Sequence, residues 1–109
     1  MKNINHDEMN ELSSLEHSSH QLLTQRQNFQ SQLVETESAL EEINSTEKAY
    51  KIIGHVMVLS DKKKLIEELK SKKEMLDLRI KSLIKQEEKL KEKSNDLRKK
   101  VISSLKKEE

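Results

Sequence analysis

The residues best suited to chemistry lie early in the chain, where His17 and His20 stand three positions apart with Glu16 beside them. Imidazole and carboxylate groups at that spacing could share a helix face and bind a transition metal. No third ligand of comparable quality is fixed nearby, so we interpret the cluster as solvated helix surface and predict no metal site. The nearby serines lack a paired base, and a single glycine excludes a glycine-rich phosphate loop. We therefore expect no catalytic residue, no cofactor and no enzyme activity.

A cluster of lysines in the middle of the chain is the second group that could bind a ligand. Its members are Lys62, Lys63, Lys64, Lys70, Lys72 and Lys73. Such clusters can bind nucleic acid, but this one lacks an aromatic stacking platform. Residues 1–50 carry a net charge of −6 and residues 51–109 a net charge of +7. Opposite charges favour packing one half along the other, so we expect a solvated or partner-facing surface that binds neither nucleic acid nor membrane.

The composition predicts long helices rather than a compact core. The 109 residues are 38% charged and 32% hydrophobic, with one Tyr, one Phe, one Gly and no Trp, Pro or Cys. Such a chain holds one domain at most, and so little aromatic bulk cannot fill an ordinary core. The absence of Cys excludes a disulfide framework and is compatible with a reducing compartment. We expect no secretion signal and no membrane-spanning helix, because no apolar run approaches about 18 residues.

Two heptad patterns predict the long helices. Alternating steps of three and four residues define ten positions along Leu12–Ile43, of which seven are apolar. The same steps define twelve positions along Ile66–Ser104, of which eight are apolar. A spacing of about 3.5 residues is typical of a coiled coil. Each helix has one apolar stripe and needs a partner, so we predict helices at about 7–44 and 61–107 that fold back as an antiparallel coil. Each of the two helices, which form the arms of the coil, would be roughly 55–70 Å long.

Polar residues interrupt both heptad seams, which are the rows of positions reached by these steps of three and four residues. They are Ser19, Arg26, Thr36, Lys73, Glu87 and Ser94. We interpret them as setting the register of a two-stranded coil, and the alternative is that they leave looser stretches in which the arms flex. We expect residues 44–46 to end the first helix, and Ser60 or Asp61 to cap the second.

The segment at 49–60 has a different pattern, with β-branched and aromatic residues around the only glycine. This is a strand–turn–strand pattern. Gly54 and His55 are suited to a two-residue type II′ turn, in which glycine takes the first central position. That turn pairs Tyr50 with Leu59 and leaves both faces of the hairpin mostly apolar.

A lone two-stranded hairpin is marginal in water, and its open edges recruit further strands. One chain has no other strand to offer, so we predict pairing with hairpins of other chains in a closed or nearly closed sheet. The alternative is a short apolar loop tucked against the coil. The residues that we expect to mediate oligomerisation are Tyr50, Ile52, Ile53, Gly54, Val56, Met57, Val58 and Leu59.

The hairpin sequence also carries a family pattern: an aromatic–Lys pair, two more residues, a glycine and then alternating aliphatic residues. Here it is Tyr50-Lys51-Ile52-Ile53-Gly54-His55-Val56-Met57-Val58. In this, and in the flanking ALEEI at 39–43 and IEEL at 66–69, the chain resembles the β-class subunits of prefoldin, archaeal and eukaryotic. The likeness covers residues 9–106, but the coiled-coil portions are weakly specific.

The resemblance implies a mainly α fold, in which a long antiparallel two-helix coiled coil is joined by a single β-hairpin that assembles into an intersubunit β-barrel. Residues 1–109 would form one prefoldin-like domain. The resemblance also implies a cytoplasmic hexamer of two α-type and four β-type subunits. This ATP-independent chaperone would hold non-native proteins at its coiled-coil tips and deliver them to a group II chaperonin.

Both termini would lie at the end of the coil away from the hairpin, where the resemblance implies client binding. The apolar candidates there are Met9, Leu12, Leu15, Val101, Ile102 and Leu105. Val101 and Ile102 are adjacent and cannot both fill one seam. If the helices splay, these side chains can contact unfolded apolar segments, and several arms acting on one client raise the avidity. The alternative is that they only close the end of the coil.

Two other function classes remain open from the sequence. A coiled-coil adaptor or scaffold would use the arms only as spacers, and it would be a monomer or a simple dimer. A nucleic-acid or membrane-surface binder would use the lysines, and salt would weaken its binding. An enzyme is the least supported class, because two helices and a hairpin alone build no pocket.

Overall fold

The computed structural model describes residues 6–107 as two long helices separated by two short strands. Helix α1 spans His6–Asn44, strand β1 spans Ala49–Ile53, strand β2 spans Val56–Ser60 and helix α2 spans Lys62–Lys107. The strands form one antiparallel two-stranded sheet. This arrangement confirms the predicted fold class of two long helices joined by a single β-hairpin. Among the described residues, no helix has the length and apolar character needed to cross a membrane.

The predicted seams are the covered faces of both helices. Every seam position from Leu12 to Ile43 and from Ile66 to Ser104 is buried or half-buried. The buried members are Thr36, Ile43, Leu76, Ile80, Leu83, Ser94 and Leu97. Two helices can cover only one stripe of each other, so no described side chain is completely enclosed.

The chain comprises two compact units, and each shows antiparallel helices. The hairpin unit is Asn28–Ile80, and the terminal unit is the remainder of the chain. In the terminal unit, Nη2 of Arg98 lies 2.8 Å from Oε1 of Glu16, and Nε of Arg26 lies 2.6 Å from Oε1 of Glu87. Moving forward along α1 therefore means moving backward along α2.

In the hairpin unit, the same direction follows from two other contacts. The guanidinium carbon of Arg79 lies 5.7 Å from the centre of the Phe29 ring, a cation–π contact. Nζ of Lys62 donates to the carbonyl oxygen of Thr46 at 2.6 Å. The α1 and α2 segments of this unit are therefore antiparallel as well.

Hydroxyl groups end helix α1 as predicted. Oγ of Ser45 donates to the Glu42 carbonyl at 2.8 Å, and Oγ1 of Thr46 donates to the Ile43 carbonyl at 3.2 Å. These bonds satisfy carbonyl groups that have no partner within the helix. The last turn of α1 contains no basic residue, and the ammonium group of Lys62 instead supplies a positive charge close to this negative helix end.

Helix α2 begins with a side-chain cap. Of the two predicted candidates, Asp61 is the cap, because its Oδ1 accepts a hydrogen bond from the backbone N–H of Lys63 at 3.0 Å. Its carbonyl oxygen accepts the bond from the N–H of Leu65 at 2.9 Å. The negative carboxylate also lies at the positive end of the helix dipole.

Candidate functional site

The hairpin turn has the geometry that the single glycine predicts. Gly54 has a φ of +62°, and no other described residue has a positive φ. His55 therefore has a negative φ, which identifies a type II′ turn rather than a type I′ turn. A Cβ at position 54 would meet nothing within 4 Å, so the preference for glycine is conformational rather than steric.

The strand register confirms the predicted pairing. Tyr50 lies opposite Leu59, and Ile53 lies opposite Val56. Because side chains alternate along a strand, each face of the hairpin is mostly apolar, as predicted: one carries Tyr50, Ile52, Met57 and Leu59, and the other carries Lys51, Ile53, Val56 and Val58. The alternative of an apolar loop tucked against the coil is wrong, since these residues form paired strands.

Both faces of the hairpin expose their apolar side chains. The seven large ones have between 42% and 68% of their surface in contact with solvent: Tyr50, Ile52, Ile53, Val56, Met57, Val58 and Leu59. Monomeric proteins rarely expose so much contiguous apolar surface. Outside the turn, the only charged residue of the strands is Lys51, whose Nζ lies 3.2 Å from Oε2 of Glu68. That ion pair is about half exposed and contributes little to stability.

The six predicted client-binding residues all lie in the terminal unit, and they divide by exposure. Because Glu16 pairs with Arg98 in an antiparallel arrangement, the start of α1 and the end of α2 come together in this unit. The exposed members are Met9, Ile102 and Leu105, and the half-buried members are Leu12, Leu15 and Val101. The prediction that Val101 and Ile102 cannot share the seam is confirmed.

An ion pair across the seam was missed by the sequence reasoning. From the sequence, Arg26 and Glu87 are interpreted only as polar residues that set the register of the coil, yet they pair at 2.6 Å with only 23% and 21% of their side chains exposed. The available signal was opposite charge at two seam positions of different helices. Two further polar seam residues, Ser19 and Ser94, line an open groove of about 570 Å³ in the same unit. Ser19 is half-buried and Ser94 is buried, so both small polar residues belong to the covered face beside this groove.

The lysine cluster is less uniform than its sequence indicates. Lys62 is half-buried and donates to a carbonyl group, and Lys73 is half-buried at a seam position. The other members, Lys63, Lys64, Lys70 and Lys72, are exposed. Two of the six lysines therefore serve the fold, and four remain on the surface.

In the described part of the chain, His17, His20 and Glu16 do not form a group of three metal ligands. Among residues 6–107, no three His, Asp or Glu side chains are arranged so that they could hold a metal ion. Glu16, which the spacing placed beside His17 and His20, instead binds Arg98.

Comparison with known proteins identifies relatives along nearly the whole chain. A family model described as "Prefoldin subunit" matches residues 6–108. The prefoldin subunit beta of Thermococcus onnurineus is 41% identical over 87 residues, which are 77% of this chain and 75% of that protein. The prefoldin subunit beta of Archaeoglobus fulgidus is 36% identical over 98 residues, 87% of this chain and 84% of that protein. The crystal structure of the prefoldin beta subunit from Thermococcus strain KS-1 has a TM-score of 0.84 at 34% identity, covering 96% of this chain and 97% of that one.

Proposed function

The chain belongs to the prefoldin family of chaperone subunits, as a member of the β class, and on that premise we propose that it acts in an ATP-independent holdase. The assembled particle is a hexamer of two α-type and four β-type subunits. Its hairpins close into intersubunit β-barrels, and its coiled-coil tips capture unfolded proteins. The captured proteins are then delivered to a group II chaperonin.

The exposed hairpin is the observation that carries this proposal. Seven large apolar side chains lie open to solvent on a sheet that has two unpaired edges. Each square ångström of apolar surface removed from water stabilises an assembly by roughly 25 cal/mol. Strands added by neighbouring subunits would cover both faces and satisfy the hydrogen-bonding groups of the edges.

The exposed apolar part of the terminal unit supports the proposal of client capture. Met9, Ile102 and Leu105 expose apolar surface, and an unfolded protein exposes apolar segments of its own. One such contact is weak, but several arms acting on one client raise the effective concentration, so that the combined affinity exceeds that of any single arm. Capture of this kind requires no nucleotide, since burial of apolar surface is the driving force.

The test compares two triple variants of the chain in the assembled complex. The first replaces the exposed client-binding candidates Met9, Ile102 and Leu105 with Ser. The matched control replaces three apolar residues of the hairpin unit that are at least as open to solvent, namely Val34, Met75 and Leu78. Half-buried Leu12, Leu15 and Val101 are left unchanged, because they belong to the seam that holds the helices together.

We expect the first variant to lose most of its ability to suppress aggregation of a chemically denatured model enzyme. Its complex should keep the mass of the unmodified particle, and the control should keep full activity. Full activity of the first variant would refute the client-binding site. An unmodified chain that stays a monomer or a simple dimer and does not suppress aggregation would instead favour a coiled-coil adaptor or scaffold.

The remaining parts of the proposal concern the setting in which the chain works. We propose that residues 1–109 act as one prefoldin-like domain without catalytic activity. Delivery to a chaperonin requires a shared compartment, and we propose that this compartment is the cytoplasm. Fluorescence microscopy of a tagged copy in the source cell, together with the chaperonin, would test the location.

A further inference from the structure

The end of the terminal unit that carries the client-binding candidates has opposite charges on its two helices. Residues 6–16 of α1 contain four acidic side chains and no Lys or Arg, whereas residues 97–107 of α2 contain five Lys or Arg and no acidic side chain. The two segments come together because Glu16 pairs with Arg98. Of the three exposed candidates, one therefore lies on an acidic helix segment and two lie on a basic one.

Two lysines share one face of α2 with the two apolar candidates of that helix. Lys99 precedes Ile102 by three positions and Lys106 follows it by four, and Leu105 lies three positions after Ile102. Residues three or four apart are neighbours on a helix surface. All four side chains are exposed, so two apolar residues lie between two ammonium groups along the helix. These four residues form the lysine–apolar face.

The acidic side chains of α1 do not neutralise the lysine–apolar face. The seam of α2 passes through Val101 and Ser104, and Lys99 and Lys106 each lie two positions from one of these residues. Two positions correspond to about 200° around the helix, so both lysines lie on the side away from α1. Among the described residues, no acidic side chain forms an ion pair with either lysine.

We propose that the lysine–apolar face binds the acidic class of client segment, in which apolar residues lie next to Asp or Glu. Apolar client side chains are covered by Ile102 and Leu105, and client carboxylates lie beside the ammonium groups of Lys99 and Lys106. The inference rests on the proposed function, because it specifies which unfolded segments the terminal unit selects.

Both parts of a lysine side chain contribute to this contact. The methylene stem covers apolar surface, while the ammonium group stays in water. The stems of Lys99 and Lys106 therefore extend the apolar surface of Ile102 and Leu105, and burial of that surface supplies the affinity. The charges supply the choice of partner, because like charges repel basic segments and opposite charges speed the encounter with acidic ones.

The preference is local rather than a property of the whole chain. The formal net charge is only +1, so the chain creates no strong overall field for clients of either sign. Acidic segments are favoured because Ile102 and Leu105 lie on the basic helix segment, whereas Met9 alone lies on the acidic one. A nucleic acid is the less suitable occupant, since the face has no aromatic side chain for base stacking.

Two permanently unfolded test proteins measure the preference. They have the same length and the same apolar residues, but one carries glutamate and the other carries lysine at every charged position. Binding of each to the assembled complex is followed by fluorescence anisotropy. We expect the acidic protein to bind about three- to tenfold more tightly at low salt, as a few exposed ion pairs allow. At about 1 M salt, where the Debye length is about 3 Å, the two affinities should converge.

Three double variants assign the preference to the face. Lys99→Gln with Lys106→Gln removes its charges but keeps its apolar residues, and this variant should lose most of the preference for the acidic protein. Lys99→Glu with Lys106→Glu should reverse the preference. The matched control is Lys89→Gln with Lys93→Gln, because both lysines are exposed and no exposed large apolar side chain of the described residues lies within four positions of either along α2. The control should bind both test proteins like the unmodified chain.

The outcomes that overturn the inference are distinguishable from one another. Equal affinities of the unmodified complex for the two test proteins at low salt show that the face does not select by charge, while the holdase function stands. A preference that survives neutralisation of Lys99 and Lys106 places the selection elsewhere. Unchanged client binding of that variant, together with weaker binding to the purified chaperonin, assigns the two lysines to delivery instead of capture. If neither test protein binds and aggregation is not suppressed, the proposed function fails with the inference.

Discussion

Replacing Arg26 with Leu should destabilise the terminal unit by more than the loss of an exposed ion pair would. Arg26 pairs with Glu87 at 2.6 Å within the seam, and about four fifths of each side chain is covered. Loss of the guanidinium leaves the Glu87 carboxylate half-buried beside apolar seam residues. Further replacement of Glu87 with Leu removes that charge and adds an apolar residue to the seam, so the double variant should regain stability.

The burial of the pair sets the expected magnitude. Exposed ion pairs contribute about 0.2–1 kcal/mol, whereas breaking a fully buried pair costs about 3–5 kcal/mol. At roughly one fifth exposure, with an allowance for solvent screening, we expect Arg26→Leu to cost about 1–3 kcal/mol and the coupling between the two residues to be about 1–2 kcal/mol. The double variant should lie within about 1 kcal/mol of the unmodified chain.

A double-mutant cycle measured by urea unfolding and far-ultraviolet circular dichroism tests this expectation. Protein concentration must be held constant, because assembly changes the apparent stability. The pair between Glu16 and Arg98 is the control, since its side chains are 55% and 51% exposed, and its coupling should be only a few tenths of a kcal/mol. If the effects of Arg26→Leu and Glu87→Leu simply add, the pair does not stabilise the seam and the reasoning is refuted.

Three further sets of substitutions test other parts of the fold. Gly54→Ala should lower the free energy of unfolding by about 1–2 kcal/mol, because φ is +62° at this position, and Gly54→Asn should lower it by less. The melting temperature of the complex reports both effects. Asp61→Ala should remove the cap of α2 and cost about 0.5–2 kcal/mol in urea unfolding, and Asp61→Ser should restore most of it. Leu76→Ala should cost about 2–4 kcal/mol because Leu76 is 3% exposed, whereas Leu78→Ala, at 68% exposure, should change stability by less than about 0.5 kcal/mol. Equal losses at positions 76 and 78 would contradict the assignment of the seam.

The elements themselves could be predicted from the sequence because each rests on a local pattern. The heptads define which face of each helix is covered, and every predicted seam position is buried or half-buried. The hairpin register follows from alternation around Gly54, since a two-residue turn permits only one pairing. Local rules of this kind depend on residues close together in the sequence, and they need no knowledge of the rest of the molecule.

The contacts between elements were harder to predict. A heptad pattern shows that Arg26 and Glu87 belong to the seams, but it does not fix which residues meet across them. An open groove beside β1, which Ile43, Tyr50 and Leu65 help to line, depends on where α1 ends, where α2 begins and how Tyr50 lies between them, so three separate elements determine it. Exposure at the helix ends likewise depends on packing, which half-buries Val101 but leaves its neighbour Ile102 exposed.

The mass of the particle formed with the α-type subunit is the measurement that most directly tests the central claim. Native mass spectrometry of the two purified chains, mixed and then compared with each alone, reports both composition and stoichiometry. We expect a hexamer that contains four copies of this chain and two of the α-type subunit. A chain that stays alone in the mixture, with its seven apolar hairpin side chains still accessible to solvent, would contradict it.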